Sequence, residues 1–548
     1  MKLIRFPLYL FLIVILTFSC ENANIEPGIE TSKVPDSEKI NDLTTAMKVE
    51  KKIEQWQNET LNPELQLNNI RLVDSFYSKQ GYQPVWNNRE LREDLYRSIE
   101  NAQNHGLQAK DYHGEYLEMA LSNLENLEED EKDLLELVLT DAFFTYAKHL
   151  NSGKLNPKEL YTIWDIGTND TDFISVFEKA ISENRISASF NELAPKHIVY
   201  NGLQKSLQDY RKLMEGEENP TQIEQGESIK PGDTSSRMAM ISLRLQELNF
   251  IDSIPSNSTH EYNETLQDAV QKFQKHHGIE TDAVIGAGTI TALNTTYQQR
   301  YEQILVNLER WRWFPQDLGD HYIIVNIPNY RLHLVNGKDT ISSNRVMVGT
   351  EARKTPVFSD EIEHIVYNPT WTIPPTIKKN DVIPAAKKNT SYLTSRNMSV
   401  FDRSGRKLDP SEINWNSTEA ANYTYRQEAG SANPLGKVKI IYPNKYSIYL
   451  HDTPSKKLFE KNSRAQSSGC VRVEGVLDLA EYLLNDQDKY TPDKIEGILK
   501  SGKTTTIKIS KNVKVHHFYW TAWREKDETL FAEDIYKQDN EILALLMN

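Results

Sequence analysis

The sequence predicts a multidomain α+β protein with a helical N-terminal region, a small three-helix bundle and a mostly-β C-terminal domain that carries an insertion. Apolar residues recur at three- and four-residue spacing through residues 50–213, where Gly and Pro are sparse. Three shorter helical faces follow within 236–296. From residue 321 the pattern changes to short alternating segments rich in β-branched residues. At 548 residues the chain exceeds a single hydrophobic core, so several domains are expected.

Composition excludes some classes of protein. Hydrophobic residues make up 38% of the chain and charged residues 26%, which is typical of globular domains. The formal net charge is -15 and no long Lys/Arg run is present. Phosphate binding needs a basic face, so nucleic acid is not an expected partner.

The N-terminus has the pattern of an export signal. Lys2 and Arg5 precede a short apolar run that ends just before Cys20. The run is too short for an ordinary membrane-spanning helix. A cysteine behind such a run resembles a bacterial lipoprotein cleavage site. We therefore expect a signal peptide over 1–20, a lipid on Cys20 and a flexible polar tether over 21–49. The alternative is a cleaved signal peptide with an incidental cysteine.

Changes in composition set the expected domain boundaries. A Gly-, Pro- and Glu-rich stretch separates the long helical region from the small bundle, and a polar stretch rich in Lys, Asn and Ser interrupts the β-rich domain. The expected segments are a helical region over 50–213, a linker over 214–235, a three-helix bundle over 236–296, a connecting helix over 297–318, a β-rich domain over 319–510 with an insertion at about 375–435, and a C-terminal extension over 511–548.

The segment that carries chemistry runs from residue 449 to residue 473. A predicted strand ends at His451, a polar loop follows, and the chain returns at Ser468-Gly469-Cys470. A thiol attacks carbonyl groups only as a thiolate, and a nearby imidazole can take its proton and stabilise the anion as an ion pair. Gly469 allows a sharp turn that could aim backbone N–H groups at an oxyanion. A helical pattern behind Cys470 predicts a helix start that would favour negative charge, and Arg472 adds a cation.

This segment, with H-D-T-P at its start and S-S-G-C-V-R-V at its end, resembles the catalytic signature of the L,D-transpeptidases (YkuD-type catalytic domains), and in particular a large Gram-negative subgroup. Many relatives have histidine where this chain has Ser468. Further stretches resemble the same domain, namely 325–328, 355–359, 368–375, 433–438 and 442–444. The insertion lies where the subgroup carries a substrate-capping lobe.

The two N-terminal domains also resemble parts of that subgroup. Trp86 and the S-G-K-L-N-P stretch at 152–157 are similar to its scaffold domain. The bundle at 236–296 resembles a peptidoglycan-binding-like domain, although the family usually has glycine where this chain has Ala283. Such a module is implied to bind cell-wall polymer. A spacer that keeps the fold without binding is the alternative, because most matched positions are core and turn residues.

The resemblance implies a two-step acyl transfer on peptidoglycan. Cys470 is the implied nucleophile and His451 the general base and acid. The donor is a tetrapeptide stem, the product a 3→3 cross-link between stem peptides, and no metal or organic cofactor is required. Carbapenems are implied to acylate Cys470. Partners are then stem peptides and glycan, with a membrane held through the lipid on Cys20. The implied location is the periplasm of a Gram-negative bacterium, with the inner face of the outer membrane favoured.

Other residues receive narrower expectations. The backbone N–H groups around Gly469 and Cys470 are expected to point at the oxyanion, with Gly469 as the named oxyanion residue. Arg472 is expected either to bind a stem carboxylate or to hold the loop. His451 could be oriented by the Asp452 side chain or, as is frequent in the family, by a backbone carbonyl. Four residues are expected to contact substrate: Tyr449, Trp371, Ser468 and Asn444. The spacing of the pairs His276-His277 and His516-His517 does not indicate metal sites.

Alternative functions remain open at this point. Water as acceptor would give an L,D-carboxypeptidase, and a lipoprotein lysine would give an anchoring enzyme. A non-catalytic wall-binding lipoprotein is a different class, against which the complete catalytic set argues. A papain-like protease is disfavoured, because its cysteine precedes its histidine and the order here is reversed.

Overall fold

The structure is a computed structural model that describes residues 48–57, 65–161, 164–167, 169–254, 260–484 and 489–548. The expected signal peptide, Cys20 and nearly all of the expected tether lie outside these residues. The described chain has the predicted fold class, with a helical N-terminal region, a small helical bundle and a β-rich C-terminal domain. No helix within the described ranges is both long enough and apolar enough to cross a membrane.

The N-terminal region is built around the helix Glu129–Ser152, whose positions from Leu135 to Ala147 are all buried. A capping box between Glu128 and Glu131 starts it. The ring of Phe143 packs at a tilt against the rings of Phe177 and Phe190 on neighbouring helices. The surrounding helices are Ile70–Lys79, Arg89–Glu100, Gly114–Ser122, Pro157–Leu160, Phe173–Ser182, Ile186–Leu193 and Ile198–Glu215.

The small bundle has its own hydrophobic core, separate from that of the rest of the chain. Its helices are Met238–Glu247, Glu264–His276 and Ala287–Asn294. Ala283 lies in the turn before the third helix with φ of 60°, in the left-handed region. Glycine reaches this region without steric cost, which is the physical reason for glycine at this position in related domains. Here the hydroxyl of Tyr262 donates to the Ala283 carbonyl at 2.6 Å and helps to hold the turn.

The segment expected to be a connecting helix is largely buried and packs against both halves of the protein. The helix Tyr297–Arg312 is buried continuously from Ile304 to its end and packs against Ile198–Glu215. It carries a fully buried ion pair, in which Arg312 Nη2 lies 2.5 Å from Glu309 Oε2. The other carboxylate oxygen of Glu309 accepts from the Leu155 N–H at 2.8 Å. The Glu309 carboxylate therefore ties this helix to the N-terminal helical region.

We expect Glu309→Gln to lower the free energy of unfolding by about 3–5 kcal/mol, because the Arg312 charge would stay buried without its anion. Urea denaturation followed by circular dichroism measures the change. Glu302→Gln is the matched control on the same helix, since Glu302 is partly exposed and bonds only to Gln298 among the contacts of the described chain. Equal midpoints for the two variants would show that the ion pair does not stabilise the junction.

The β-rich domain contains one large mixed sheet. Twelve of the described strands form it in the order β1-β5-β16-β2-β3-β4-β14-β12-β11-β6-β15, with β13 beside β4. Its strands are β1 Trp164–Asp165, β2 His321–Asn326, β3 Arg331–Asn336, β4 Asp339–Gly349, β5 Val357–Glu361, β6 His364–Tyr367, β11 Val438–Ile441, β12 Leu450–His451, β13 Ala465–Ser467, β14 Val471–Val473, β15 Thr505–Lys508 and β16 Lys514–Phe518.

The C-terminal residues contribute to this sheet and are not peripheral to it. Strand β16 lies between β5 and β2, parallel to β2. The expected boundary at residue 510 therefore falls inside one sheet. The hairpin of β17 Ala522–Glu525 and β18 Glu528–Phe531 follows, and the helix Asp539–Met547 packs against Tyr297–Arg312. Two further helices of the domain are Val476–Leu484 and Pro492–Ser501.

The insertion forms a lobe with its own sheet and core. The sheet has the order β7-β10-β8-β9, with β7 Trp371–Thr372, β8 Met398–Phe401, β9 Lys407–Leu408 and β10 Thr424–Gln427. Short helical turns at Pro375–Ile377, Ile383–Lys388 and Ser391–Thr394 cover it. Its core is a separate cluster that includes Leu393, Val400 and Tyr425. The capping lobe, as residues 371–427 are called below, begins with β7, slightly before the expected boundary.

Candidate active site

The predicted catalytic residues lie on one face of two neighbouring strands. Strands β12 and β14 are parallel, with Leu450 opposite Val471 and His451 opposite Arg472. Successive side chains of a strand point to opposite sides of the sheet. Leu450 and Val471 are fully buried in the core. The alternate positions, His451 and Arg472, face the other side together with Tyr449 and Cys470, so the sheet itself brings thiol, imidazole, phenol and guanidinium together.

Cys470 is half-buried, and its sulfur contacts the segment before β12. The thiol donates to the Ser447 carbonyl at 3.6 Å. Both the backbone and the side chain of Tyr449 hydrogen-bond the sulfur and favour its charged form. Ser447 has φ of 57°, in the left-handed region. That turn is why β12 starts at Leu450, although the sequence pattern predicts a strand from Ser447 to His451.

Asn444 holds this turn and is not available as a substrate contact. Its side-chain amide donates to the carbonyls of Tyr442 and Ile448 at 2.9 and 2.8 Å. Its oxygen accepts from the N–H groups of Tyr446 and Ile448 at 3.1 and 3.0 Å. These four bonds use the full capacity of the amide. The expectation that Asn444 binds substrate is therefore corrected: it shapes the loop that presents Ser447 to the thiol.

A backbone carbonyl orients His451. Its Nδ1 lies 2.5 Å from the carbonyl oxygen of Asp452, which can only accept, so Nδ1 carries the proton and Nε2 has a free lone pair. The Asp452 carboxylate is used elsewhere. One oxygen accepts from the Lys437 N–H at 2.8 Å, and the other pairs with the Lys456 ammonium. Two groups could orient His451 on the evidence of the sequence, the Asp452 side chain and a backbone carbonyl. In the structure the backbone carbonyl is the group that bonds the ring.

Burial favours the neutral form of both the thiol and the imidazole. Burial raises the pKa of the Cys470 thiol to about 11, against the lowering effect of the Tyr449 hydrogen bonds and the Arg472 charge. Burial, with the Arg472 charge beside it, lowers the pKa of His451 to about 3. A resting thiolate–imidazolium ion pair, the expectation from sequence, would require these pKa values in the opposite order. The arrangement fits a neutral base that takes the proton as the sulfur attacks.

The turn before Cys470 is held rigidly. Gly469 has φ of 116°, where glycine is favoured. Its N–H donates to Ser467 Oγ at 3.0 Å, and Ser467 Oγ donates to the Cys470 carbonyl at 2.6 Å. The Gly469 N–H is thus already engaged, contrary to its expected role at an oxyanion. None of the hydrogen bonds found in the described chain uses the Cys470 N–H, which is the available donor in this turn.

A network from the C-terminal residues supports the same turn, and sequence reasoning did not find it. Thr355 Oγ1 donates to the Gly469 carbonyl at 2.7 Å. Tyr536 accepts from the Thr355 N–H at 3.0 Å and donates to the Gly349 carbonyl at 2.8 Å. No local sequence pattern links residue 536 to residue 469, since the contact depends on how β16 folds back into the sheet.

The expected helix start directly behind Cys470 is absent. Residues Val471–Val473 form β14, and the helix begins only at Val476. Residues Val471–Val473 pair with β4 and β12 as a strand. The helical spacing therefore forms a helix only after this strand has ended. A helix dipole therefore does not act on the sulfur, and nearby cations and Tyr449 provide the favourable electrostatics.

The capping lobe reaches the site at two places. Trp371 hydrogen-bonds the side chain of Tyr449, which in turn contacts the sulfur. Arg353 Nη1 donates to Ser468 Oγ at 2.9 Å and to Asp381 of the lobe at 3.0 Å. Tyr449 thus lies beside the thiol, and Trp371 reaches the site through Tyr449. Ser468 links the catalytic turn to the lobe through Arg353.

Two cations flank His451. Arg472 lies opposite it on β14, and Lys439 lies opposite it on β11. The Arg472 Nε is buried without a hydrogen-bond partner, and neither cation takes part in an ion pair of the described residues. Arg472 was expected here. Lys439 was not singled out, because a lysine in an alternating strand is usually a solvated residue.

The histidine pairs are packed into the fold. Both nitrogens of His516 are bonded, to Ser359 Oγ at 2.8 Å and to the Leu318 carbonyl at 2.9 Å. His517 Nε2 lies 2.8 Å from the Tyr442 hydroxyl, and His277 Nδ1 lies 2.8 Å from the Phe273 carbonyl. Within the described ranges, no group of three or more His, Cys, Asp or Glu side chains is arranged to hold a metal ion.

Three family models match successive parts of the chain. Residues 71–207 match a scaffold domain, and residues 234–293 match a domain described as "Putative peptidoglycan binding domain". Residues 320–509, which contain the whole site described above, match the L,D-transpeptidase catalytic domain. Residues 320–509 belong to the L,D-transpeptidase catalytic domain family.

A curated relative supports this assignment. A Haemophilus influenzae protein named "Putative L,D-transpeptidase" is 38% identical over 242 residues. The match covers 44% of this chain and 49% of the relative, so the chain spans about half the length of that protein.

Solved structures give only weak likenesses. A Stackebrandtia nassauensis L,D-transpeptidase crystal structure is 11% identical, with 53% of this chain and 94% of that chain covered and a TM-score of 0.21. An L,D-transpeptidase structure from Xylanimonas cellulosilytica is 14% identical, with 54% and 99% covered and a TM-score of 0.17.

Proposed function

We propose that this protein is a peptidoglycan L,D-transpeptidase that forms 3→3 cross-links between stem peptides through a thioester on Cys470. The observation that supports this most strongly is the common face of β12 and β14. There Cys470, Tyr449, His451 and Arg472 lie together inside a domain of the L,D-transpeptidase family.

In the first step the sulfur of Cys470 attacks the carbonyl of the third residue of a donor tetrapeptide. The thiol proton moves to Nε2 of His451, which is free because Nδ1 is bonded to the Asp452 carbonyl. The Cys470 N–H stabilises the oxyanion. The C–N bond then breaks, His451 returns the proton to the leaving D-alanine amine, and a thioester remains.

In the second step the side-chain amine of a second stem attacks the thioester. His451 takes a proton from the attacking nitrogen, the C–S bond breaks, and the sulfur recovers its proton. The scaffold, the bundle and the capping lobe position wall polymer around this centre in the proposal. Arg472 binds a carboxylate of the stem, since its guanidinium has an unused donor at the site.

The proposed location is outside the cytoplasm, at the cell wall, where the substrate is found. A lipid on Cys20 as the membrane anchor, with the outer-membrane inner face favoured, rests on the sequence pattern alone.

The decisive experiment incubates the purified protein with tetrapeptide-bearing muropeptides and identifies the products by mass spectrometry. We expect 3→3 dimers to accumulate as free D-alanine is released. Tripeptide monomers without dimers would indicate an L,D-carboxypeptidase, and dimers absent until a lipoprotein is supplied would indicate an anchoring enzyme. No product, together with no carbapenem adduct on Cys470, would favour a non-catalytic wall-binding protein.

A further inference from the structure

Lys439 occupies a position that the catalytic steps above do not explain. It is half-buried at the centre of β11, directly opposite His451, and its ammonium lies 5.0 Å from the centroid of the Tyr449 ring. Burial lowers its pKa, and a negative charge on Cys470, when the thiol ionises, raises it. Partial removal of a cation from water costs free energy unless an anion or hydrogen-bond acceptors compensate its charge.

The nearest charges do not supply that anion. Lys439 takes part in no ion pair of the described residues, and Asp452, the carboxylate next to His451, is already bound to Lys456 and the Lys437 N–H. The aromatic face of Tyr449 offers a weak cation–π contact. Arg472, on the other side of His451, also takes part in no ion pair of the described residues, and its Nε is buried without a hydrogen-bond partner. Two uncompensated cations thus lie on the two strands that flank one imidazole.

The spacing suits one small anionic group. Neighbouring strands lie about 4.8 Å apart, so the backbones of β11 and β14 are roughly 10 Å apart with His451 between them. Both long side chains rise from the same face and can converge above the imidazole. Electrostatically, each of them disfavours protonated His451, so a group that neutralises them also helps His451 to hold the proton that it must transfer.

We propose that Lys439, together with Arg472, binds the terminal carboxylate of the residue that leaves in the first step, and that Lys439 therefore selects donors with a free C-terminal D-amino acid. This inference rests on the proposed function. His451 must lie beside the leaving nitrogen to protonate it. The carboxylate carbon of a leaving amino acid is two covalent bonds from that nitrogen, about 2.5 Å. With its nitrogen beside His451, the leaving residue has its carboxylate between Lys439 and Arg472, where both cations attract it. A leaving group without a carboxylate has no such attraction.

The experiment compares a donor tetrapeptide that ends in D-alanine with the same peptide ending in D-alaninamide. Binding is measured by calorimetry on the full chain with Cys470→Ala, with and without K439Q. Acylation is measured by intact mass on proteins that keep Cys470. We expect K439Q to weaken binding and acylation of the acid about 10- to 100-fold, as for loss of a charge-assisted hydrogen bond, and to change the amide by less than about threefold.

Matched variants separate this role from others. K439R keeps the charge and should retain the preference for the acid. Lys508→Gln makes the same change at an exposed position on the edge strand β15 and should change neither donor. If K439Q weakens both donors equally, Lys439 acts on the thiol or on the fold and the inference is overturned.

Proteins that keep Lys439 also test the inference if K439Q does not fold. Equal affinities of the Cys470→Ala protein for the acid and the amide would overturn it. If wild-type protein binds the acid preferentially but is never acylated, the proposed function fails while the carboxylate site stands.

Discussion

Replacement of Cys470 by serine should lower the rate of acyl-enzyme formation by about 10⁴-fold or more, as for removal of a nucleophile in other acyl-transfer enzymes. The replacement adds no bulk and keeps the hydrogen bond to Ser447 possible. However, a serine hydroxyl is a far weaker acid than a thiol, and the neutral His451, with its pKa lowered to about 3, is a weak base. The measurements are dimer formation from muropeptides and covalent mass gain with a carbapenem.

The control for this variant is retention of the fold and of wall binding. Cys470→Ser should unfold at the urea concentration of the wild type and should sediment with purified peptidoglycan to the same extent. Dimer formation by the serine variant at the wild-type rate would show that another group is the nucleophile.

His451→Asn should lower acylation at neutral pH by about 10²- to 10⁴-fold, the range for loss of a general base. It should also change the pH dependence. Wild-type acylation should vary little above about pH 4, because His451 stays neutral above its pKa of about 3. Without that base the reaction needs preformed thiolate. Its rate should then rise about tenfold per pH unit until pH approaches the thiol pKa of about 11.

The pH profile is measured as the rate of intact-mass gain from pH 6 to pH 10, with the Asn variant and the wild type side by side. A flat profile for the variant, at a rate near that of the wild type, would remove His451 from the reaction. Asp452→Asn is a useful companion, because the Asp452 carbonyl that orients His451 is unchanged. It should therefore retain most of the activity.

The order of the helical region, the small bundle and the β-rich domain could be predicted from sequence because it depends on local patterns, and the same holds for the choice of Cys470 and His451 as the candidate catalytic pair. Helical spacing over 50–213, three short helical faces and alternating β-branched segments each report which side of an element is buried. Cys470 and His451 stand out because a histidine at a strand end and a Gly-Cys turn occur in a recognisable string. The terminal signal and Cys20 likewise rest on a contiguous pattern.

The remaining features of the site depend on pairing between strands that are far apart in sequence, which no contiguous pattern encodes. Strand β14 replaces the expected helix start because β4 and β12 are available on both sides of it. Tyr536 supports the Gly469 turn because β16 inserts between β5 and β2. Asn444 is used within its own loop, and Lys439 is placed against His451 only by the register of β11 and β12. Burial then sets the pKa values of the neutral thiol and imidazole, and burial is a property of the folded chain alone.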